Sequence, residues 1–310
     1  MAALPSVRKA AIIGAGQMGL GIAYVSAVHA KVNVSLHDPS SSVLSSAMDK
    51  YKDLLNRDVK KSRLTQNEAD EALSRLTPLR GDVESLRDDG IDVVVEAIPE
   101  IPELKFNLFK KLGGLLAPET ILGSNTSSIS ITKLAASAGE AIGVRSEGGI
   151  KSSQRVIGIH YFNPVPQMKL VEIIPALQTS EETIERATAF GKACKKEVTR
   201  SADAPGFIAN AILMPMINEA IMVLEKGVAT ASDIDTTFKL GMAHPMGPLA
   251  LADLIGLDTC LHIQRVLHTE TGDSKYRPCG LLVRMVDAGW VGKKGGKGFY
   301  EYDERGERRG

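Results

Sequence analysis

Residues 8–19 read RKAAIIGAGQMG, and the fold of the first half of the chain follows from how this stretch is read. An apolar run at 10–13 leads into Gly14-Ala15-Gly16-Gln17-Met18-Gly19, and a helical pattern continues through about Val28. A G-x-G-x-x-G alone carries little information. One that ends a strand and opens a helix gives each glycine a physical reason. Gly14 permits the tight turn, Gly16 lets backbone approach a pyrophosphate, and Gly19 lets the helix pack close to the sheet. The helix N-terminus then offers unpaired N–H groups and the positive end of its dipole to phosphates. Val32, Val34 and Leu36 alternate as a second strand ending at His37-Asp38, and Asp38 falls nineteen residues after Gly19. A carboxylate at that spacing binds the adenosine ribose diol and repels a 2′-phosphate, which predicts NAD over NADP. Asp38 also suits the N-cap of a following helix, but as the third element of one fingerprint it reads as a ribose ligand.

Outward from this unit, residues 40–76 are helical and polar, with a break expected near 62–65, and carry Lys50, Lys52, Arg57, Lys60, Lys61 and Arg63. Such a run is ordinarily a solvated helix face, and it also suits the phosphates of a large anionic substrate. IDVVVEAI at 91–98 is the near-continuous apolar pattern of a central parallel strand, with Glu96 towards the C-terminal end, the edge along which open α/β sheets bind ligands. Glu100 and Lys105 enter a helix running to about Leu116, and a strand at 121–123 ends in Ser124-Asn125-Thr126-Ser127-Ser128. That polar cluster either caps the helix from Ser130 or lines a cleft. Residues 138–154, AGEAIGVRSEGGIKSSQ, are aperiodic and rich in Gly, Ser and charge, which predicts an exposed loop. A helix at 181–194 and a short strand at 197–199 precede Ser201-Ala202-Asp203-Ala204-Pro205-Gly206, a small, Pro-Gly-broken domain boundary. Beyond it, 207–226, 232–240, 248–267 and 279–288 read as helices, with no strand.

The expected fold is therefore α/β. A Rossmann-like, mostly parallel sheet with helices on both faces occupies 1–203, with an inserted loop at 139–153. A smaller all-α domain follows at 204–310.

VIGIHYFNPVPQMKLVEIIP at 156–175 is where the chemistry is expected. Two apolar runs flank Asn163-Pro164-Val165-Pro166, and prolines are kept out of central strands, so the stretch reads as strand, loop, strand. His160 and Glu172 each lie six residues from Pro166, so antiparallel strands would bring them face to face. A carboxylate against an imidazole fixes its tautomer and raises the basicity of the other ring nitrogen. A cross-strand polar pair on a sheet surface is the plain alternative. Asn210, in an otherwise apolar row of the first helix of the second domain, is either a satisfied core amide or a group aimed at the cleft. Met214, Met216 and Met222 read as packing. His244-Pro245-Met246-Gly247-Pro248 reads as a rigid turn, and the glycine loop at 293–298 is a solvated tail or a phosphate contact.

Bulk properties narrow the classes. Lys+Arg and Asp+Glu both number 37, so no net charge favours nucleic acid or an anionic membrane. No apolar run is long enough to span a bilayer, and the first strand begins too early for a secretory signal or long transit peptide. Cys194, Cys260 and Cys279 are odd in number and widely spaced, which predicts an intracellular, reducing compartment with neither a disulfide framework nor a metal site. The C-terminus carries no recognised targeting signal.

Together these blocks resemble the 3-hydroxyacyl-CoA dehydrogenase family, in particular its short-chain, 3-hydroxybutyryl-CoA type. They are GAGQMG at 14–19, VVVEAIPE at 93–100, SNTSSI at 124–129, HYFNPVPQMKLVEII at 160–174, DAPGFIANAILMPMINEA at 203–220, HPMGPLALADLIGLD at 244–258 and GKKGGKGFYEY at 292–302. The resemblance implies NAD-dependent oxidation of the 3-hydroxyl of (S)-3-hydroxyacyl-CoA to the 3-ketoacyl-CoA, in fatty-acid β-oxidation or its reverse. It implies His160 as general base, Glu172 as its partner, and Ser127 and Asn210 as catalytic groups that bond the substrate. Gly14, Ala15, Gly16, Gln17, Met18, Gly19, Asp38, Glu100, Lys105, Ser127, Asn163 and Lys294 match its NAD-contacting positions, and Lys61 matches a position contacting the CoA moiety. The second domain would bind substrate and build a homodimer, and the compartment would be cytosol or a peroxisomal or mitochondrial matrix. The segment at 139–153 looks about a dozen residues longer than the family's usual connection. If it shifted the register of the next strand, His160 would turn to the opposite face. Two rivals stand beside this reading: a sugar-acid dehydrogenase of the gulonate type with the same architecture, and a catalytically silent NAD-binding protein.

Overall fold

The computed structural model describes residues 7–87 and 89–309. The chain divides into two compact units, Met1–Ala204 and Pro205–Gly310.

The first unit begins with β1 (Lys9–Ile13), α1 (Gln17–Val28) and β2 (Asn33–Asp38), as the glycine pattern predicts. Helices α2 (Ser41–Lys60) and α3 (Gln66–Ser74) follow, parted at the expected break, and α3 starts in a capping box between Thr65 and Glu68. Strand β3 (Leu76–Arg80) follows, where the sequence reads as helix to Leu76 and predicts no strand; Pro78 sits within it. It pairs only with β2, at the sheet's edge, where a missing N–H leaves no ladder bond unmade. Then come β4 (Val93–Glu96), α4 (Pro102–Leu115), β5 (Ile121–Ser124) and α5 (Ile131–Glu140).

The stretch predicted as an exposed loop at 139–153 is instead largely helical. It contains the end of α5, a turn, and α6 (Glu147–Gln154), whose N-cap Ser146 accepts from the Gly149 N–H at 3.0 Å. Gly149 serves close packing rather than looseness: a Cβ there would overlap the Gly143 carbonyl oxygen, as one on Gly113 of α4 would overlap that of Ala138, while Gly143 takes a φ of 107° in the turn. Ser152 is buried and donates to the Gly113 and Ala138 carbonyls, which ties α6 to α4 and α5. Composition mistook contact glycines for loop glycines.

The unit closes with β6 (Val156–Tyr161), β7 (Leu170–Pro175), α7 (Glu181–Ala193) and β8 (Glu197–Arg200). The strands form one eight-stranded sheet, β3-β2-β1-β4-β5-β6-β7-β8. It is parallel from β3 through β6, and β7 runs antiparallel to β6 with β8 beside it. Strands β1 and β4 are buried as nearly unbroken apolar runs, the composition that two covered faces require. Ile12, Val34, Val93 and Val95 are at most 1% exposed, each contributing about 1.5–3 kcal/mol of burial.

The second unit is helical, with α8 (Ala209–Glu225), α9 (Ala231–Thr236), α10 (Pro248–Ile255), α11 (Leu257–Thr271) and α12 (Gly280–Asp287). The single helix expected over 248–267 is broken at Gly256, whose φ of 103° an L side chain rarely adopts. Helix α9 continues into a π-helical turn, Thr237–Gly241. Met214 lies in this unit's core and Met222 packs against it.

Candidate active site

The glycine turn between β1 and α1 makes a backbone cradle, and each glycine has a steric cause. Gly14 has a φ of 102°, and a Cβ there would press on the Ala97 carbonyl at the end of β4. A Cβ on Gly19 would overlap the Gly14 carbonyl oxygen. A Cβ on Gly16 would meet no protein atom within 4 Å, so its bare face opens onto the cleft. Asp38, at the end of β2, ties this turn to the next element. Its Oδ2 accepts from the Ala15 N–H at 3.0 Å and its Oδ1 from the Ser40 N–H at 2.9 Å. The side chain that caps α2 is Ser40, not Asp38. A cleft of about 860 Å3 opens along these residues, lined by Gly14, Gly16, Gln17, Met18 and Asp38. Leu104 and Leu108 of α4 also line it, a mixture of apolar wall and backbone donors suited to an adenosine with its phosphates.

Strands β6 and β7 pair with His160 directly opposite Glu172, the register that symmetry about Pro166 predicts, so the preceding helix α6 leaves it undisturbed. His160 Nδ1 is 2.8 Å from Glu172 Oε2, with His160 8% exposed and Glu172 1% exposed. The carboxylate selects the tautomer with the proton on Nδ1, which leaves basic character on Nε2. The Phe162 ring lies 4.6 Å from the imidazole, centroid to centroid. Asn125, which sequence reasoning gave no separate role, accepts from the Tyr161 N–H at 2.8 Å and so fixes the backbone next to His160. Its signal was only its place in the polar cluster.

That cluster at the end of β5 gathers on Glu100. Burial opposes ionisation of Glu100, but the Lys105 ammonium, the Thr126 hydroxyl and the Ser127 N–H outweigh it and hold the carboxyl below its ordinary range. Lys105 is 1% exposed, its Nζ 2.5 Å from Glu96 Oε1 and 3.1 Å from Glu100 Oε2, so it is engaged inside the protein. Burial pushes the Glu96 carboxyl up, against the pull of Lys105 and the Ser124 hydroxyl.

Asn163, on the exposed β6–β7 loop, accepts from Gln17 Nε2 at 3.0 Å, which links that loop to the glycine turn. Between them and α2 lies a second groove, of about 750 Å3, lined by Lys50 and Arg57 from the basic run and by residues 163–167. Lys61, the position singled out from that run, is the exposed C-cap of α2 and is not among the groove's lining residues. Asn210 and Lys294 belong to the second unit. Asn210 is the half-buried second residue of α8, and exposed Lys294 is 2.8 Å from the Asp258 carboxylate. Among the described residues no three His, Cys, Asp or Glu side chains gather as a metal site.

Two family profiles tile almost the whole chain: the 3-hydroxyacyl-CoA dehydrogenase NAD-binding domain over residues 9–204 and the C-terminal domain of the same enzymes over 206–302. The chain belongs to the 3-hydroxyacyl-CoA dehydrogenase family. It is 45% identical over 299 residues to the probable 3-hydroxybutyryl-CoA dehydrogenase of Bacillus subtilis, covering 96% of this chain and 99% of that one. It is 47% identical over 296 residues to the 3-hydroxybutyryl-CoA dehydrogenase of Bradyrhizobium diazoefficiens, covering 96% of each. The crystal structure of the (S)-3-hydroxybutyryl-CoA dehydrogenase of Ralstonia eutropha superposes with a TM-score of 0.87 at 43% identity, over 96% of this chain and 100% of that one.

The cofactor of this 3-hydroxyacyl-CoA dehydrogenase is NAD, and the residues present fit it. The open face of Gly16 leaves the space a pyrophosphate needs, and Asp38 lines the cleft where an adenosine ribose requires an acceptor.

Proposed function

We propose that the protein catalyses the reversible, NAD-dependent oxidation of the 3-hydroxyl of short-chain (S)-3-hydroxyacyl-CoA. The observation that carries this reading is the buried His160–Glu172 pair, set by strand register in a unit whose glycine turn suits a dinucleotide. Bound NAD+ supplies the hydride acceptor for C3. His160 Nε2 takes the hydroxyl proton as that hydride leaves, and Glu172 stabilises the resulting imidazolium. In the reverse direction His160 returns the proton to the forming alkoxide. Ser127 is held by Glu100 through its N–H at 2.9 Å, and its hydroxyl, at 3.4 Å the longer contact, turns from Glu100 to donate to the reacting oxygen when substrate is bound; such a donor is worth most where charge develops. Asn210 and Lys294, on the helical unit, are assigned by family resemblance to substrate and cofactor. The groove lined by Lys50 and Arg57 suits the phosphates of CoA, with Lys61 at the end of the same helix.

The test is NADH oxidation with acetoacetyl-CoA, with gulonate-type sugar acids and NAD+ as the comparison. Turnover of the thioester supports the proposal. Turnover of the sugar acid alone, or NADH binding without turnover of any substrate, sinks it. Asp38→Ala is expected to relax the preference for NADH over NADPH by at least tenfold in kcat/KM, because the carboxylate that repels a 2′-phosphate is gone. An unchanged cofactor ratio would leave Asp38 only its contacts to Ala15 and Ser40.

The helical unit leaves apolar surface exposed at Ile212 (67%), Leu240 (82%), Met242 (56%) and Leu254 (51%). A second copy of the chain covering that surface gives the homodimer the family resemblance implies. Sedimentation equilibrium should return twice the chain mass, and a monomer at micromolar concentration rejects the dimer. The three cysteines are free and buried, which fits a reducing compartment. No helix among the described residues is long and apolar enough to cross a membrane.

A further inference from the structure

Residues 125–129 have no regular structure of their own, yet five donors in them converge on one atom. Glu100 Oε1 accepts from the Thr126 hydroxyl (2.5 Å), the Ser127 N–H (2.9 Å) and hydroxyl (3.4 Å), and the Ser128 N–H (3.1 Å) and hydroxyl (3.0 Å). An ionised carboxylate oxygen suits this set, because the Ser127 and Ser128 N–H groups can only donate and a proton on Oε1 would compete with them. The other carboxylate oxygen lies 3.1 Å from Lys105 Nζ, and that ammonium reaches back 2.5 Å to Glu96 Oε1. Glu96 is itself anchored. It accepts from the Ile98 N–H at 2.8 Å and the Ser124 hydroxyl at 2.6 Å, and it is fully buried at the end of β4. One charged chain thus runs from the central strand through α4 to the segment that carries Ser127.

We propose that Glu96 and Lys105 are positioning residues: they brace Glu100 as an acceptor, and through its bonds to the Ser127 and Ser128 N–H groups they fix the backbone from which the Ser127 hydroxyl reaches the substrate. This rests on the reading of Ser127 as a substrate donor. It gives Lys105 a task distinct from cofactor contact, which its burial and three partners, Glu96, Glu100 and the Ile98 carbonyl, make a poor description. Among the described residues, the charged groups that face Glu100 are Lys105 from α4 and, across that ammonium, Glu96 from β4; the β5–α5 segment contributes hydroxyls and amides.

The sign of the expected effect follows from what remains when Lys105 is removed. Lys105 opposes the upward push of burial on Glu100, so in Lys105→Met burial is left with weaker opposition and the carboxyl titrates higher. The five donors then lose their anion as pH falls.

Two readouts test this. The first is amide exchange of the peptide spanning 124–130 in protein without substrate or cofactor, corrected for intrinsic rate, over about pH 6 to 9. The second is the pH profile of kcat with acetoacetyl-CoA. Lys105→Met should lose protection at Ser127 and Ser128 and lose kcat together towards low pH, with both recovering as pH rises. The wild type should hold its protection throughout. A folded Lys105→Met with wild-type protection and profile overturns the brace. Should that variant fail to fold, the isosteric Glu96→Gln decides. Its kcat should fall about tenfold, the equivalent of 1.4 kcal/mol of transition-state positioning, with NADH affinity within about twofold. An unchanged kcat in Glu96→Gln overturns the proposal. If the wild type turns over no acyl-CoA while exchange in Lys105→Met still follows pH, the brace stands and the reading of Ser127 as a substrate donor falls.

Discussion

His160→Gln should lower kcat for acetoacetyl-CoA reduction by about 10² to 10⁴-fold, the range that loss of a positioned acid–base group produces. NADH affinity should stay within about twofold, because no contact of the glycine turn is touched. Glutamine keeps a polar side chain of similar reach at the sheet position but cannot exchange a proton near neutral pH. The effect therefore isolates proton transfer from packing. Glu172→Gln should cost less, about tenfold to a hundredfold, because the amide oxygen still accepts from Nδ1–H and keeps the tautomer while the charge that stabilises the imidazolium is lost. Stopped-flow reduction separates the chemical step from product release. A His160→Gln enzyme with half the wild-type rate of hydride transfer would end the base assignment.

Gly19→Ala and Gly16→Ala should fail in different ways, and the contrast tests the cofactor cradle. At position 19 an added methyl overlaps the Gly14 carbonyl oxygen and crowds Ile12, so the turn and α1 must separate. Overpacking of this kind costs about 1–3 kcal/mol and sometimes more. In a unit of this size that lowers Tm by about 2–4 °C per kcal/mol. NADH affinity should fall with it, since the helix N-terminus is displaced. At position 16 the backbone sits at φ −67°, open to any residue, and an added methyl meets no protein atom within 4 Å. Gly16→Ala should keep its Tm yet lose NADH affinity by at least about tenfold, or 1.4 kcal/mol, because the methyl enters the space of the pyrophosphate. Fluorescence titration with NADH beside thermal unfolding reads both. Tight NADH binding by Gly16→Ala would mean the phosphates do not lie on that turn.

Much of this site is legible in the sequence, and each legible part has a local cause. The turn at 14–19 could be read because glycine answers steric constraints that act over a few residues. The facing of His160 and Glu172 could be read because strands have a period of two and the Pro-marked loop fixes their midpoint. The parts that were misread depend on neighbours distant in sequence. Residues 139–153 have a loop's composition, yet Gly149 is needed where α5 and α6 touch, and sequence cannot tell a glycine used for closeness from one used for freedom. Strand β3 was missed beside the helical run, and its Pro78 is tolerated because the sheet order places β3 at an edge. The basic run named six cations, but which of them face the groove is a matter of how α2 lies against the β6–β7 loop, and that geometry selects Lys50 and Arg57.

By itself the sequence determined the class of sheet, the glycine turn and the facing of His160 and Glu172, because periodicity, glycine sterics and strand register are properties of short segments. The tertiary structure alone decided what holds those pieces in working order. Glu100 collects the Ser127 segment, Lys105 lies buried between two carboxylates, and α6 folds as a helix without moving the strand that follows it. Those outcomes depend on burial and on charges brought together from different elements. A carboxylate's ionisation and a glycine's purpose are set by what surrounds them in space, and residues adjacent in sequence do not specify that.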